Sequence, residues 1–289
     1  MAQYTDFYQK IERIFNQNKG ALIMGILNVT PDSFFDGGKY TQEHQWLSRV
    51  DQMVAVGADI IDIGAYSSRP GAEDISEKVE SERLIKVIRT VRNAHPNLLI
   101  SADTFRSNIA KQAIAAGANI INDISGGTID SKMFLTVAEL NVPYILMHIK
   151  GRPHNMQENP QYDDVVEDIY SYFENKIKQL NELGVKQVIL DPGFGFGKTL
   201  EHNYKLLENI DRFKEFGLPV LVGVSRKSMI TKLLNINTNE SINGTSALNV
   251  IALQNGASIL RVHDVKEAKE VVVITEYLKG FRSSNNKAK

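Results

Sequence analysis

Eight short apolar runs, each followed by a segment of helical periodicity, constrain this chain more than any other feature. The runs are 22–28 (LIMGILN), 58–64 (ADIIDIG), 98–104 (LLISADT), 119–124 (NIINDI), 142–148 (VPYILMH), 187–193 (QVILDPG), 219–225 (PVLVGVS) and 257–264 (ASILRVHD). They are rich in Ile, Val and Leu and lack polar alternation. That is the pattern of strands buried on both faces, as in a parallel sheet. Segments 43–56, 77–94, 107–116, 131–140, 165–183, 203–216, 242–255 and 265–278 carry apolar residues at helical spacing. Gly57, Gly117, Gly184, Gly217 and Gly256 stand where left-handed helix ends are wanted. Eight β-then-α units predict an α/β fold, the (β/α)8 TIM barrel, over 21–281. A doubly wound open sheet is the rival. A helical segment at 7–15, within residues 1–20, is expected to pack on the barrel before strand 1, and the polar residues 282–289 read as a disordered tail. No linker marks a second domain.

Charge and composition exclude several functions. Lys+Arg number 33 against 34 Asp+Glu, so no bulk positive charge favours nucleic acid or an anionic membrane. The absence of cysteine excludes disulfides, thiolate zinc, iron–sulfur clusters and a cysteine nucleophile. The start lacks a basic-then-apolar leader, and no run approaches the roughly 18 apolar residues of a membrane span. A cytoplasmic location is the expectation.

In a barrel the C-terminal strand ends form the active face. Here nearly all are polar: Asn28, Asp62 with the following SSRPG loop, Asp103, Asn122 with Asp123, His148, Asp191, the Ser225–Ser228 turn, and Arg261 with His263. Asp62, Asp103, Asp191 and Asn122 suit a flat ring bearing several N–H donors. Arg69, Lys227, Arg261 and His263 suit an anion. The rim is expected to divide into a donor-binding part and an anion-binding part. Met147 and Phe196 read as pocket walls, His148 as a partner for backbone groups, and Lys150, Arg152 and Lys198 as solvated loop charges. No G-x-S-x-G elbow, H-E-x-x-H or metal-spaced histidine set occurs. The stretch 193–199 (GFGFGKT) fails the phosphate-loop rule, because Pro192 takes the first glycine's place. It reads as a turn that lets backbone approach a ligand.

These residues resemble the dihydropteroate synthase family. The resemblance rests on 24–34 (MGILNVTPDSF) with 36–38 (DGG), 67–71 (SSRPG), Asp103-Thr104, 121–123 (IND), Met147-His148, 191–198 (DPGFGFGK), 225–228 (SRKS) and 261–264 (RVHD), in family order across roughly 20–281. It implies condensation of 6-hydroxymethyl-7,8-dihydropterin diphosphate with p-aminobenzoate, in an SN1-like step that releases diphosphate and gives dihydropteroate for folate synthesis. Asp103, Asn122, Asp191 and Lys227 match the pterin pocket. Asn28, Arg69, Arg261 and His263 match the diphosphate site, with Asn28 at a magnesium position. Phe34, Ser68, Pro70 and Ser228 match positions around p-aminobenzoate, which Lys227 also borders. Arg69, Lys227, Arg261 and His263 are therefore the expected catalytic set. Segments 29–39 and 65–74 would be mobile loops, and a homodimer through the later barrel helices is implied.

The second loop departs from the family's commoner G-G-E-S-T-R-P-G. Tyr66 stands for Glu and Ser68 for Thr, and Phe35 replaces a commoner Ser. These changes bear on the fit of p-aminobenzoate and of sulfonamide analogues. A pterin-dependent methyltransferase barrel, which would need a cobalamin partner, and a non-catalytic pterin-binding paralogue are the rival readings.

Overall fold

A computed structural model describes residues 12, 15, 20–29, 39–67, 74–153 and 156–286, with the side chains of 39–42 and 281–286 left aside. The apolar runs form β1 (Leu22–Asn28), β2 (Ile60–Gly64), β3 (Leu99–Asp103), β4 (Ile120–Asp123), β5 (Tyr144–Met147), β6 (Val188–Asp191), β7 (Leu221–Val222) and β8 (Ile259–Val262). All pair in parallel, in the order β6-β5-β4-β3-β2-β1-β8-β7. A parallel bridge between Leu190 and Val220 joins the two ends, so the sheet closes into a (β/α)8 barrel. The helices are α1 (Lys39–Ala55), α2 (Glu77–Ala94), α3 (Ser107–Ala115), α4 (Met133–Leu140), α5 (Val165–Glu182), α6 (Leu200–Glu208), α7 (Ser228–Leu234), α8 (Ile242–Gln254) and α9 (Val265–Asn286).

Period-two alternation then sorts the side chains. Outward residues such as Ile23, Ile61, Ile100, Ile121, Leu146 and Leu190 are buried under the helices. Inward residues Leu22, Met24, Ile60, Leu99, Ile120, Ile145, Ile189, Leu221 and Ile259 form a separate apolar plug. Phe15 packs against that plug, as expected of a segment preceding β1. The rest of the expected helix at 7–15, except Glu12, lies outside the described residues. Two residues beyond the plug, the same inward faces carry Asp62, Ser101, Asn122, Met147, Asp191 and Arg261. The strands thus change from a dry interior to a polar one within about one pleat.

Several helix boundaries differ from expectation. The segment expected as one helix over 203–216 starts at Leu200, because Thr199 caps it by accepting the His202 N–H at 3.2 Å. It then breaks at Asn209, whose side chain donates to the Lys205 carbonyl at 2.8 Å, and resumes as a 3-10 turn over Ile210–Phe216. Helix α7 was not expected: its seven residues are too few to show periodicity. Helix α9 continues to Asn286, past the point where the polar tail was expected to begin. Polar residues extend a helix readily when neither Pro nor a C-terminal Gly stops it.

Candidate active site

The centre of the polar layer is an ion cluster on β8, β2 and β3. Arg261 donates from Nε to Asp62 Oδ2 at 2.7 Å and from Nη2 to Asp103 Oδ2 at 2.9 Å. Asn122 Nδ2 donates to the same Asp62 oxygen at 3.1 Å. Asp62 is 0% exposed and Asn122 2%. Burial, then the neighbouring Asp62 charge, pushes the Asp103 carboxyl up to about 8 against the pull of Arg261. Burial works against the Arg261 charge, but Asp62 and Asp103 outweigh it and hold its pKa above the ordinary value. Among the described residues Asp62 Oδ1, Asn122 Oδ1 and Ser101 Oγ have no hydrogen-bond partner. Buried polar atoms of this kind call for a ligand or water.

A second group stands on β6 and the turn before α7. Asp191 Oδ1 accepts the Gly193 N–H at 2.8 Å. Burial raises its carboxyl, and Lys227 opposes that rise. Lys227 donates to the Phe194 carbonyl, and its Nζ lies 4.6 Å from the Phe196 ring centre. Burial lowers the Lys227 ammonium to about 8. Arg226 is turned the other way and forks onto Asp264 at 3.0 and 2.5 Å. Its φ of 58° makes that reversal, so neighbouring basic residues serve different sides of the turn.

Between these groups lies an apolar wall. Phe105, Ile124, Met147, Ile149 and Met156 cluster there, with Tyr66, Ile129 and Phe196 packed against them. Tyr66 meets Phe105 edge-on at 5.0 Å. Met147 and Phe196, expected as pocket walls, both belong to this cluster. Ser225 Oγ accepts the His263 N–H at 3.2 Å and faces His263 Nδ1 at 3.2 Å. In the tautomer in which the Ser225 hydroxyl donates to Nδ1, the imidazole proton stands on Nε2, a donor suited to an anion.

The structure brings Asp103, Asn122, Asp191, Met147, Phe196, Lys227, Arg261 and His263 to one end of the barrel. Asn28 ends β1 at the same rim, half-buried, and Ser228 opens α7, exposed. Phe34, Ser68, Arg69 and Pro70 lie outside the described residues. Two expectations change. The rim is not divided into acids and bases: Arg261 sits on Asp62 and Asp103, and Lys227 beside Asp191. Close pairing is how a dry site keeps charge of both signs. Lys198 is not a solvated charge but 3% exposed, with Nζ 2.9 Å from the Gly193 carbonyl, 3.0 Å from that of Phe196 and 3.0 Å from His148 Nδ1. Lys150 is exposed, as expected. Asp62 was read only as a rim acid, yet it is the central acceptor. The period-two step from Ile60 was the signal that could have placed it.

Residues 24–263 match the family described as pterin binding enzyme. The dihydropteroate synthase of Escherichia coli (strain K12) is 43% identical over 256 residues, 88% of this chain and 90% of that protein. The chain belongs to the pterin binding enzymes, among the dihydropteroate synthases. Solved structures of this family agree in fold. The Yersinia pestis dihydropteroate synthase, solved as a sulfonamide drug complex, has a TM-score of 0.85 at 41% identity, over 90% of this chain and 95% of that one. The Xanthomonas albilineans enzyme in complex with 7,8-dihydropteroate has a TM-score of 0.81 at 34% identity, over 90% of this chain and 94% of that one.

Proposed function

We propose that this chain joins 6-hydroxymethyl-7,8-dihydropterin diphosphate to p-aminobenzoate, giving 7,8-dihydropteroate and diphosphate. The observation that carries this reading is the constellation of buried Asp62 and Asn122 with half-buried Asp103 and Arg261, beside Asp191 and Lys227 and against an apolar wall. Asp62 Oδ1 and Asn122 Oδ1, without partners among the described residues, suit the N–H groups of a flat heterocycle. Met147 and Phe196 offer faces for its ring. Lys227 donates to ring acceptors and borders the p-aminobenzoate side, with Ser228 at the opening of α7. Arg69, Phe34, Ser68 and Pro70 enter this reading through the family resemblance.

The chemistry asks for little acid–base machinery. The C–O bond to diphosphate breaks, the dihydropterin ring stabilises the methylene cation, and the neutral aromatic amine attacks. It loses its proton afterwards. The protein orients the partners, stabilises the departing anion through Arg261 and His263, and keeps the cation dry.

Asn28 offers a hard amide oxygen at the rim, which fits a magnesium ion that takes most of its ligands from a diphosphate. Among the described residues no cluster of three His, Asp or Glu could hold a metal alone. When bound there, the ion would neutralise diphosphate charge.

A second copy of this chain is the proposed partner. Val273, Ile274, Tyr277 and Leu278 on α9 and Ile251 on α8 are exposed apolar residues on neighbouring helices, with Tyr277 77% exposed. Such a patch suits a homodimer interface. Light scattering is expected to give a dimer for the unsubstituted chain and a monomer for Ile274→Glu. A monomer in both cases overturns this reading. No described helix is long and apolar enough to cross a membrane.

The deciding assay mixes purified protein, pterin diphosphate, labelled p-aminobenzoate and Mg²⁺. Labelled dihydropteroate is the expected product. Pterin binding without product would favour the non-catalytic paralogue.

A further inference from the structure

We infer that Lys198, a residue outside the substrate-contacting set, is a positioning residue that shapes the pterin pocket from behind through Phe196 and Lys227. The inference rests on the reading of this site as a pterin pocket.

Two lysines hold the 193–198 turn from opposite sides. Lys227, from the pocket side, takes the Phe194 carbonyl. Lys198, from the interior, reaches the carbonyls of Gly193 and Phe196 at 2.9 and 3.0 Å and His148 Nδ1 at 3.0 Å. An ammonium has three N–H donors, and these partners use them all. Within the turn the Phe196 N–H donates to the Gly193 carbonyl at 3.1 Å, and its other carbonyls depend on the side chains that bind them. Asn203 Oδ1 adds one support by accepting the Gly195 N–H at 2.6 Å.

The packing leaves no slack. A Cβ on Gly193 would lie 1.9 Å from the His148 carbonyl oxygen, and one on Gly195 would lie 3.2 Å from Lys227 Cδ. Both glycines have positive φ, 71° and 78°. The turn is thus pressed between His148, just past β5, and Lys227. The Phe196 carbonyl bound by Lys198 belongs to the residue whose ring faces Lys227 Nζ at 4.6 Å. Removing the Lys198 head group takes the donor from the Phe196 carbonyl and from His148 Nδ1, and leaves the Gly193 carbonyl with the Phe196 N–H alone. The turn must then rearrange, and Phe196 and the Phe194 carbonyl move with it.

The test is calorimetric binding of 6-hydroxymethylpterin, with folding checked by circular dichroism. Lys198→Met is expected to weaken binding about tenfold in the otherwise unsubstituted chain, and less than about twofold when added to Phe196→Ala/Lys227→Ala. Lys198→Gln, which keeps two N–H donors, is expected to fall between and serves if the Met variant does not fold. A general loss of stability would not produce this non-additivity. Equal losses in both backgrounds overturn the inference, as does unchanged binding by folded Lys198→Met or, if that does not fold, Lys198→Gln. Failure of the unsubstituted chain to bind the pterin would instead overturn the functional reading.

Discussion

Arg261→Ala is expected to lower kcat/KM by about 10²–10³-fold, the cost of removing a preorganised donor from a developing anion. The change also strips the counter-charge from Asp62 and Asp103, which lie 2.7 and 2.9 Å from the guanidinium. Removing one partner of a buried pair costs about 3 kcal/mol of stability. That loss should shrink in acid, because a protonated Asp103 no longer needs the guanidinium. Steady-state kinetics and urea unfolding at pH 5 and pH 8 check both parts. Normal rate constants would remove Arg261 from the mechanism.

Asp103→Asn is expected to weaken pterin binding roughly 10–100-fold, the range for losing hydrogen bonds to a charged acceptor. It should also change the response to pH. Asp103 in the fold is held at about 8, far above its ordinary 3.8. Between those values the folded chain binds more protons than the unfolded one. Its contribution is therefore present in acid and is lost as pH rises towards 8. Asp191, Asp123 and Glu80 are pushed the same way, chiefly by burial, so part of the slope survives the substitution. The variant should lose about one proton's share of the slope, up to about 1.4 kcal/mol per pH unit. At pH 7 pterin binding should release about one proton from the unsubstituted chain and none from the variant. Calorimetry in buffers of different ionisation enthalpy reads that difference, and equal proton release would refute it.

Much of the site was legible because polar residues at the ends of apolar runs must face either a loop or the barrel mouth. Asp103, Asn122, Asp191 and Arg261 were found in that way. Asp62 was underrated because it sits mid-strand, where its role depends on Arg261 from a strand 199 residues away in sequence. The wall residues Phe105, Ile124, Ile149 and Met156 carried no signal, since an apolar loop residue looks the same whether it lines a pocket or fills a core. Phe34, Ser68, Arg69 and Pro70 remain expectations, outside the described residues.

The sequence by itself determined the barrel and the face on which its chemistry lies. Strand periodicity and the βα repeat are local, and burial on both faces leaves few ways to arrange eight such strands. Only the tertiary structure decided how the charges pair. A lysine code letter is the same for Lys150, Lys198 and Lys227, yet one is exposed, one is buried on loop carbonyls, and one borders the pocket. Electrostatic energy depends on distance and burial, and both are set by residues far apart in the chain. That is why the expected division of the rim into acids and bases became a set of interlocked pairs.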